Sequence, residues 1–171
     1  MGSLSNSSIN ELTAMQWNGL SGAQINALSV GTLGALTSVQ IASLLANQIS
    51  GLNSVALSNI GSSNVAALTT SQLASLSTQQ MVDLSTTTFK ALTSRQVAAL
   101  ETRDLAVLGS SNVAALSSSQ LNALNTKQIA SLSATNLVGL STENLALLNS
   151  AQLRSLTSSQ IVGLNIFKPT I

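Results

Sequence analysis

The chain contains no histidine, no cysteine and no tyrosine among its 171 residues. That removes the side chain best suited to proton transfer at neutral pH, the thiolate nucleophile, and the usual His/Cys metal constellations. Without cysteine there is no disulfide framework either, and the redox compartment is not written in the composition. Charged residues make up only 6% and aromatic residues 2%. With six basic and five acidic residues the formal net charge is +1, too little to neutralise a phosphate backbone, so no nucleic-acid partner is expected. No apolar run approaches the ~18 residues of a membrane span, and no basic segment followed by an apolar run marks a signal peptide at Met1–Asn10. Proline occurs once, at Pro169. There is no glycine-rich phosphate loop and no G-x-S-x-G elbow around any of the many serines. Catalysis is not expected, and no cofactor is implied.

What the chain has instead is 44% hydrophobic residues in strict order, which argues against disorder. From Leu4 to Leu164 every eighth residue is leucine, with Ile60 the one exception in 21 positions. Five residues after each comes a second apolar site, from Ile9, Trp17 and Ile25 through Phe89 to Ile161, hydrophobic in all 20 octets. Octet position 5 is Gln in 11 of the 20, position 2 is usually Ser or Thr, and position 8 is usually Ala, Gly or Ser. The consensus reads L-[ST]-[ST]-x-Q-[ILV]-x-[AGS]. An uninterrupted period of this kind is the signature of a solenoid, in which each unit advances the chain by one constant step.

A single long helix cannot use this pattern, because eight residues overshoot two helical turns and the leucine stripe would wind around the rod. A strand fails because positions 1 and 6 have opposite parity; a β-solenoid, whose corner would restore parity, remains the alternative architecture. The octet does fit a helix start. A Ser or Thr N-cap followed three residues later by Gln is a capping box, and an apolar residue before the cap packing on one at position 6 is a hydrophobic staple. The pairs Ser21/Gln24, Thr69/Gln72, Thr93/Gln96 and Thr157/Gln160 are the expected caps, and Leu68, Leu76, Leu92, Leu116, Leu132, Leu156 and Ile161 the expected core. An N-cap has non-helical backbone angles, so each helix is limited to about positions 3 to 8. Helices that short do not persist alone, and stacking between coils must hold them. The predicted fold is an all-α solenoid of very short capped helices, one per octet. Small residues at position 8 suit a close approach of neighbouring helices.

The sequence leaves the octets per superhelical turn open. GSSNVAAL recurs at 61–68 and 109–116, six octets apart, a phase that two, three or six octets per turn would preserve. The middle departs from the consensus, with Leu45 at a cap position, Ala56 in place of Gln, Asn59 in place of a small residue and Ile60 in place of leucine. This reads as drift in a tolerant array. Residues 1–3 read as a leader or tag remnant, residues 4–163 as one solenoid of twenty octets, and residues 164–171, with Pro169, as a terminator or cap.

The remaining chemistry is sparse. Asp83, Glu101, Asp104 and Glu143 are the acids available for pairing, and Glu101 with Asp104 take the cap and Gln positions of one octet, which reads as a capping box made of acids. Lys90, Arg95 and Arg103 form a candidate interaction patch, partly neutralised by Glu101 and Asp104. Trp17 and Phe89 occupy position 6 and read as large core residues.

The segments LTTSQLASLSTQQ, LTSRQVAAL and LNTKQIASL resemble octapeptide-repeat tracts of large secreted or surface-attached bacterial proteins, and the resemblance covers the whole chain. It implies a secreted or cell-surface spacer, fibre subunit or adhesin stalk without an active site. The partner implied is either another copy of the chain or neighbouring modules of a longer parent. The opening L-T-x-x-Q-V also resembles the start of the DNA-reading TAL-effector repeat, but that unit is several times longer and its base-reading loop and basic stripe are absent here. A protein- or glycan-binding solenoid and an ice- or mineral-binding surface are the alternative functions.

Overall fold

The structure is a computed structural model that describes residues 8–9 and 11–164. The expected leader at 1–3, the repeat start at Leu4 and the expected terminator beyond Leu164 lie outside the described residues. Those described are all-helical with no strand, which removes the β-solenoid alternative.

The helices are four to six residues long and fall in two compact units, Met1–Leu92 and Thr93–Ile171. The first unit holds α1 (Ala14–Asn18), α2 (Gly22–Asn26), α3 (Val30–Gly34), α4 (Ser38–Ser43), α5 (Ala46–Ser50), α6 (Ser54–Asn59), α7 (Ser62–Val65), α8 (Thr70–Ala74), α9 (Thr78–Asp83) and α10 (Thr86–Ala91). The second holds α11 (Ser94–Ala98), α12 (Thr102–Ala106), α13 (Ser110–Ala114), α14 (Ser118–Ala123), α15 (Thr126–Ser131), α16 (Ala134–Leu137), α17 (Thr142–Ala146), α18 (Ser150–Arg154) and α19 (Ser158–Gly163).

Each helix starts for the same local reason. In the octet of α9 the backbone N–H of Gln80 donates to Ser77 Oγ at 3.2 Å, and the Ser77 N–H donates to Gln80 Oε1 at 2.8 Å. Ser77 itself is extended, with φ −72° and ψ 159°, so the helix cannot run backwards through it. Reciprocal capping of this kind is present at Ser21/Gln24, Thr69/Gln72, Thr93/Gln96 and Thr157/Gln160. Replacing Ser77 by alanine removes one acceptor and is expected to cost about 1 kcal/mol of unfolding free energy, measured by urea denaturation.

Helix stacking follows a fixed offset. Within the first unit α1 packs on α4, α3 on α6, α4 on α7 and α7 on α10; within the second, α11 packs on α14, α12 on α15, α13 on α16 and α16 on α19. Position 6 supplies the deepest core: Ile25, Ile41, Ile49, Leu73, Met81 and Phe89 in the first unit, and Val97, Leu121 and Ile129 in the second, have no exposed surface. Leu68, Leu76, Leu92, Leu116 and Leu132 at position 1 are buried to 5% exposure or less, whereas Leu156 and Ile161, in the last described turn, are only partly covered.

Small residues at position 8 sit where two helices nearly touch. A Cβ at Gly139 would run into the Ser110 carbonyl, and one at Gly22 would come within 3.0 Å of the Gly51 Cα. In both pairs a position 8 residue meets position 3 of a helix 29 residues away.

The duplicated GSSNVAAL does not fold identically in its two places. Gly61 has φ +88°, while Gly109 has φ −68° and is extended. The difference comes from the preceding octet. α6 continues into Ile60, whose backbone is helical (φ −58°, ψ −27°), so the chain must reverse at the next residue, and glycine tolerates the left-handed region. Ile60 and Gly61 together therefore act as a helix stop, and the irregular middle changes the local backbone instead of leaving it untouched.

Candidate functional site

The polar group repeated most often is the position 5 glutamine, and it reaches beyond its own octet. Gln80 Nε2 donates to the carbonyl of Ile49 at 2.9 Å and to that of Leu52 at 2.8 Å. Gln72 reaches Ile41 and Leu44, Gln152 reaches Leu121 and Leu124, and Gln160 reaches Ile129 and Leu132 in the same way. These acceptors lie 31 and 28 residues earlier, so one turn takes between three and four octets. The whole-number turns of two, three or six octets suggested by the duplicated segment are not adopted.

The physical reason for glutamine is now complete. A short helix leaves its first N–H groups and last carbonyls unpaired, and burying them unpaired is costly. One carboxamide answers both needs, because its oxygen takes the N–H of its own cap while its nitrogen serves two carbonyls of the turn before. Gln72, Gln80, Gln96, Gln120, Gln128, Gln152 and Gln160 are all buried, at 5% exposure or less. Sequence reasoning found the first role and missed the second. The signal for the second was that Gln outnumbers Glu at position 5, since a carboxylate would close the capping box equally well.

Asp104 occupies that glutamine slot. Its side chain is fully buried and neither carboxyl oxygen has a hydrogen-bond partner. The expected acidic capping box with Glu101 is absent: Glu101 is the N-cap of α12 but makes no side-chain cap bond. Two carboxylates repel, and neither has a hydrogen to return, so Arg103 Nε instead lies 3.0 Å from Glu101 Oε2 and 3.7 Å from Asp104 Oδ1. Burial pushes the Asp104 pKa above the ordinary carboxylate value; the Arg103 charge opposes this, the Glu101 charge adds to it, and the Glu101 backbone amide opposes it without completing a hydrogen bond. Asp83 is the reverse case, held below the ordinary value by hydrogen bonds from Ser54 and Gln79. Glu143 is also lowered, first by its own backbone amide and then by Ser141.

Residues 65–101 and 97–134 match the ALTTAQ repeat. No curated protein matches the chain. The first ALTTAQ match contains Ala67-Leu68-Thr69-Thr70-Ser71-Gln72, in which Leu68 is buried and Thr69 and Gln72 form a capping box. The invariant letters of the ALTTAQ motif thus correspond to structural roles: Leu to core, the first Thr to cap, Gln to cap and cross-turn donor.

The remaining predicted residues fall into place separately. Lys90 is exposed on α10 of the first unit, while Arg95 and Arg103 are exposed on α11 and α12 of the second. Arg103 is engaged by Glu101; Arg95 has no ion pair among the described residues. Trp17 and Phe89 are fully buried, and the Trp17 indole Nε1 has no acceptor. Among the described residues no three His, Cys, Asp or Glu side chains converge on a metal-sized site, and no helix is long and apolar enough to cross a membrane. The outer surface is made of hydroxyls, as at Ser117–Ser119 and Thr157–Ser159.

Proposed function

We propose that the chain is a non-enzymatic structural repeat element of a secreted or cell-surface protein: a spacer, fibre subunit or adhesin stalk that associates with itself. The observation that carries this reading is the use to which the octet puts its recurring polar side chains. Cap hydroxyls and position 5 amides are spent on holding neighbouring turns together, leaving a weakly charged hydroxyl surface. Such a surface suits a passive scaffold and gives no group poised for proton transfer or nucleophilic attack. The twenty-octet array of residues 4–163 is the structural part of this proposal, and the bacterial surface setting follows from the resemblance of its octets.

Sedimentation equilibrium over a wide concentration range tests the self-association: the apparent mass is expected to rise with concentration, and a strictly monomeric chain would sink that part. Immunodetection in the source cells tests the location. Signal in the medium or on intact cells is expected, and confinement to the cytoplasm would overturn it.

The second reading is a recognition surface for protein or glycan, favoured by exposed Arg95 and its lack of an ion pair. Binding to an arrayed glycan or protein that is lost in Arg95→Ala would support that reading over a passive spacer.

A further inference from the structure

The octets pack through two different faces, and the first and last described turns leave opposite ones uncovered. In the first turn Leu12, Leu20 and Leu28 are only partly buried, although the following position 1 leucines, Leu36 and Leu44, are 4% exposed. The position 6 residues of the same turn, Trp17 and Ile25, are fully covered. The last turn shows the converse emphasis at position 6: Leu153 is 46% exposed and Leu145 and Ile161 are partly exposed, while Leu140 and Leu148 at position 1 stay buried.

The hydrogen-bonding groups divide in the same way. Gln16 and Gln24 close their own capping boxes through Oε1, 2.8 Å from the Thr13 and Ser21 N–H groups, but their Nε2 groups have no acceptor among the described residues. Gln40 and Gln48, one turn on, donate from Nε2 to the carbonyls of Ile9 and Trp17. In the last turn the carbonyls of Leu145, Leu148, Leu153 and Leu156 receive no side-chain amide from the described residues, whereas those of Leu121, Leu124, Ile129 and Leu132 do. One face offers amide donors and leucines; the other offers the carbonyls and apolar side chains that such donors and leucines meet inside each unit.

We propose that the last turn of one copy docks on the first turn of a second copy, with Gln16 and Gln24 donating to leucine carbonyls of that turn. This rests on the self-association proposed above and specifies its geometry and partner. The occupant is a second copy because the contact continues, between chains, the turn-to-turn interface already built within each unit. Such a contact is heterologous: each copy uses one face and leaves the other free to recruit the next. Neither face carries a dense charge that would have to be desolvated.

The experiment uses two full-length variants, Gln16→Glu/Gln24→Glu for the first-turn face and Leu153→Glu for the last-turn face, compared by sedimentation velocity. Coincident far-ultraviolet circular dichroism spectra establish that both remain folded. Each variant alone is expected to associate at least tenfold more weakly than the native chain. Their equimolar mixture is expected to form dimers and nothing larger, because each supplies the face that the other lacks. Native-like association by both variants would overturn this geometry while leaving lateral self-association standing. A native chain that stays monomeric would overturn both, and association appearing only after removal of residues 165–171 would make that segment, not a second copy, the occupant.

Discussion

Gln80→Glu is expected to destabilise the Met1–Leu92 unit by at least about 3 kcal/mol at neutral pH, because two buried acceptors lose their donor and a charge enters their place. The substitution is nearly isosteric. One carboxylate oxygen can still accept from the Ser77 N–H, as Gln80 Oε1 does at 2.8 Å. The other replaces the Nε2 that donates to the Ile49 and Leu52 carbonyls at 2.9 and 2.8 Å. A carboxylate facing two carbonyls prefers to be protonated, so its folded pKa is raised above its unfolded value. The loss is therefore largest above the raised pKa and shrinks as the pH falls through it, since the protonated acid regains one donor. Urea unfolding at pH 7 and near pH 3.5 measures the difference. A loss no greater than that of Ser77→Ala, and independent of pH, would mean that the cross-turn amide contributes little.

Asp104→Gln should act in the opposite direction. The native carboxyl is fully buried, neither oxygen is hydrogen-bonded, and its pKa is raised chiefly by burial. A raised carboxyl pKa means that the native state binds the proton more tightly than the unfolded state. Stability from this group is present below the unfolded value and is lost as the pH rises through the folded one. Restoring a neutral amide is expected to raise stability by about 1–3 kcal/mol at pH 7, with the gain fading in acid. The surrounding charges do not change this sign. Arg103 and Glu101 act in opposite directions, and α15, packed against α12, carries only the exposed Lys127. Thermal unfolding of both proteins across pH 4 to 8 tests it; a variant less stable than the native chain at pH 7 would show that the carboxylate is useful there.

The helices and caps were legible because their causes are local. A Ser or Thr followed by Gln three residues later satisfies two backbone N–H groups within one octet, and that statement needs no knowledge of the neighbouring turn. The pitch was not legible, because it depends on how far Gln80 must reach to find Ile49 and Leu52, which is a property of stacked turns. Gly61 was misjudged for the same reason: its sequence context from Gly61 to Leu68 equals that of 109–116, and only the helical Ile60 before it sets the left-handed turn. Glu101 and Asp104 were assigned a capping box by position alone, yet two negative groups in a buried octet do not cap each other, and Arg103 takes their place. The basic patch was inferred from equal octet positions; the neutralisation of Arg103 was visible in the neighbouring acids, and the unpaired state of Arg95 was not.

The glutamine ladder also sets the rules by which such a gene can change length. Its partners are fixed by offset and not by address, since each amide looks for position 6 and position 1 carbonyls one turn back, whichever octets supply them. Losing or gaining a whole octet within a unit hands every downstream amide an equivalent acceptor, and only exceptional octets such as that of Asp104 notice the exchange. Losing a single residue instead misaligns every amide whose turn spans the lesion. Replication slippage in whole octets is therefore nearly silent to this fold while single-codon indels are not, so copy number is free to drift as the octet itself stays fixed.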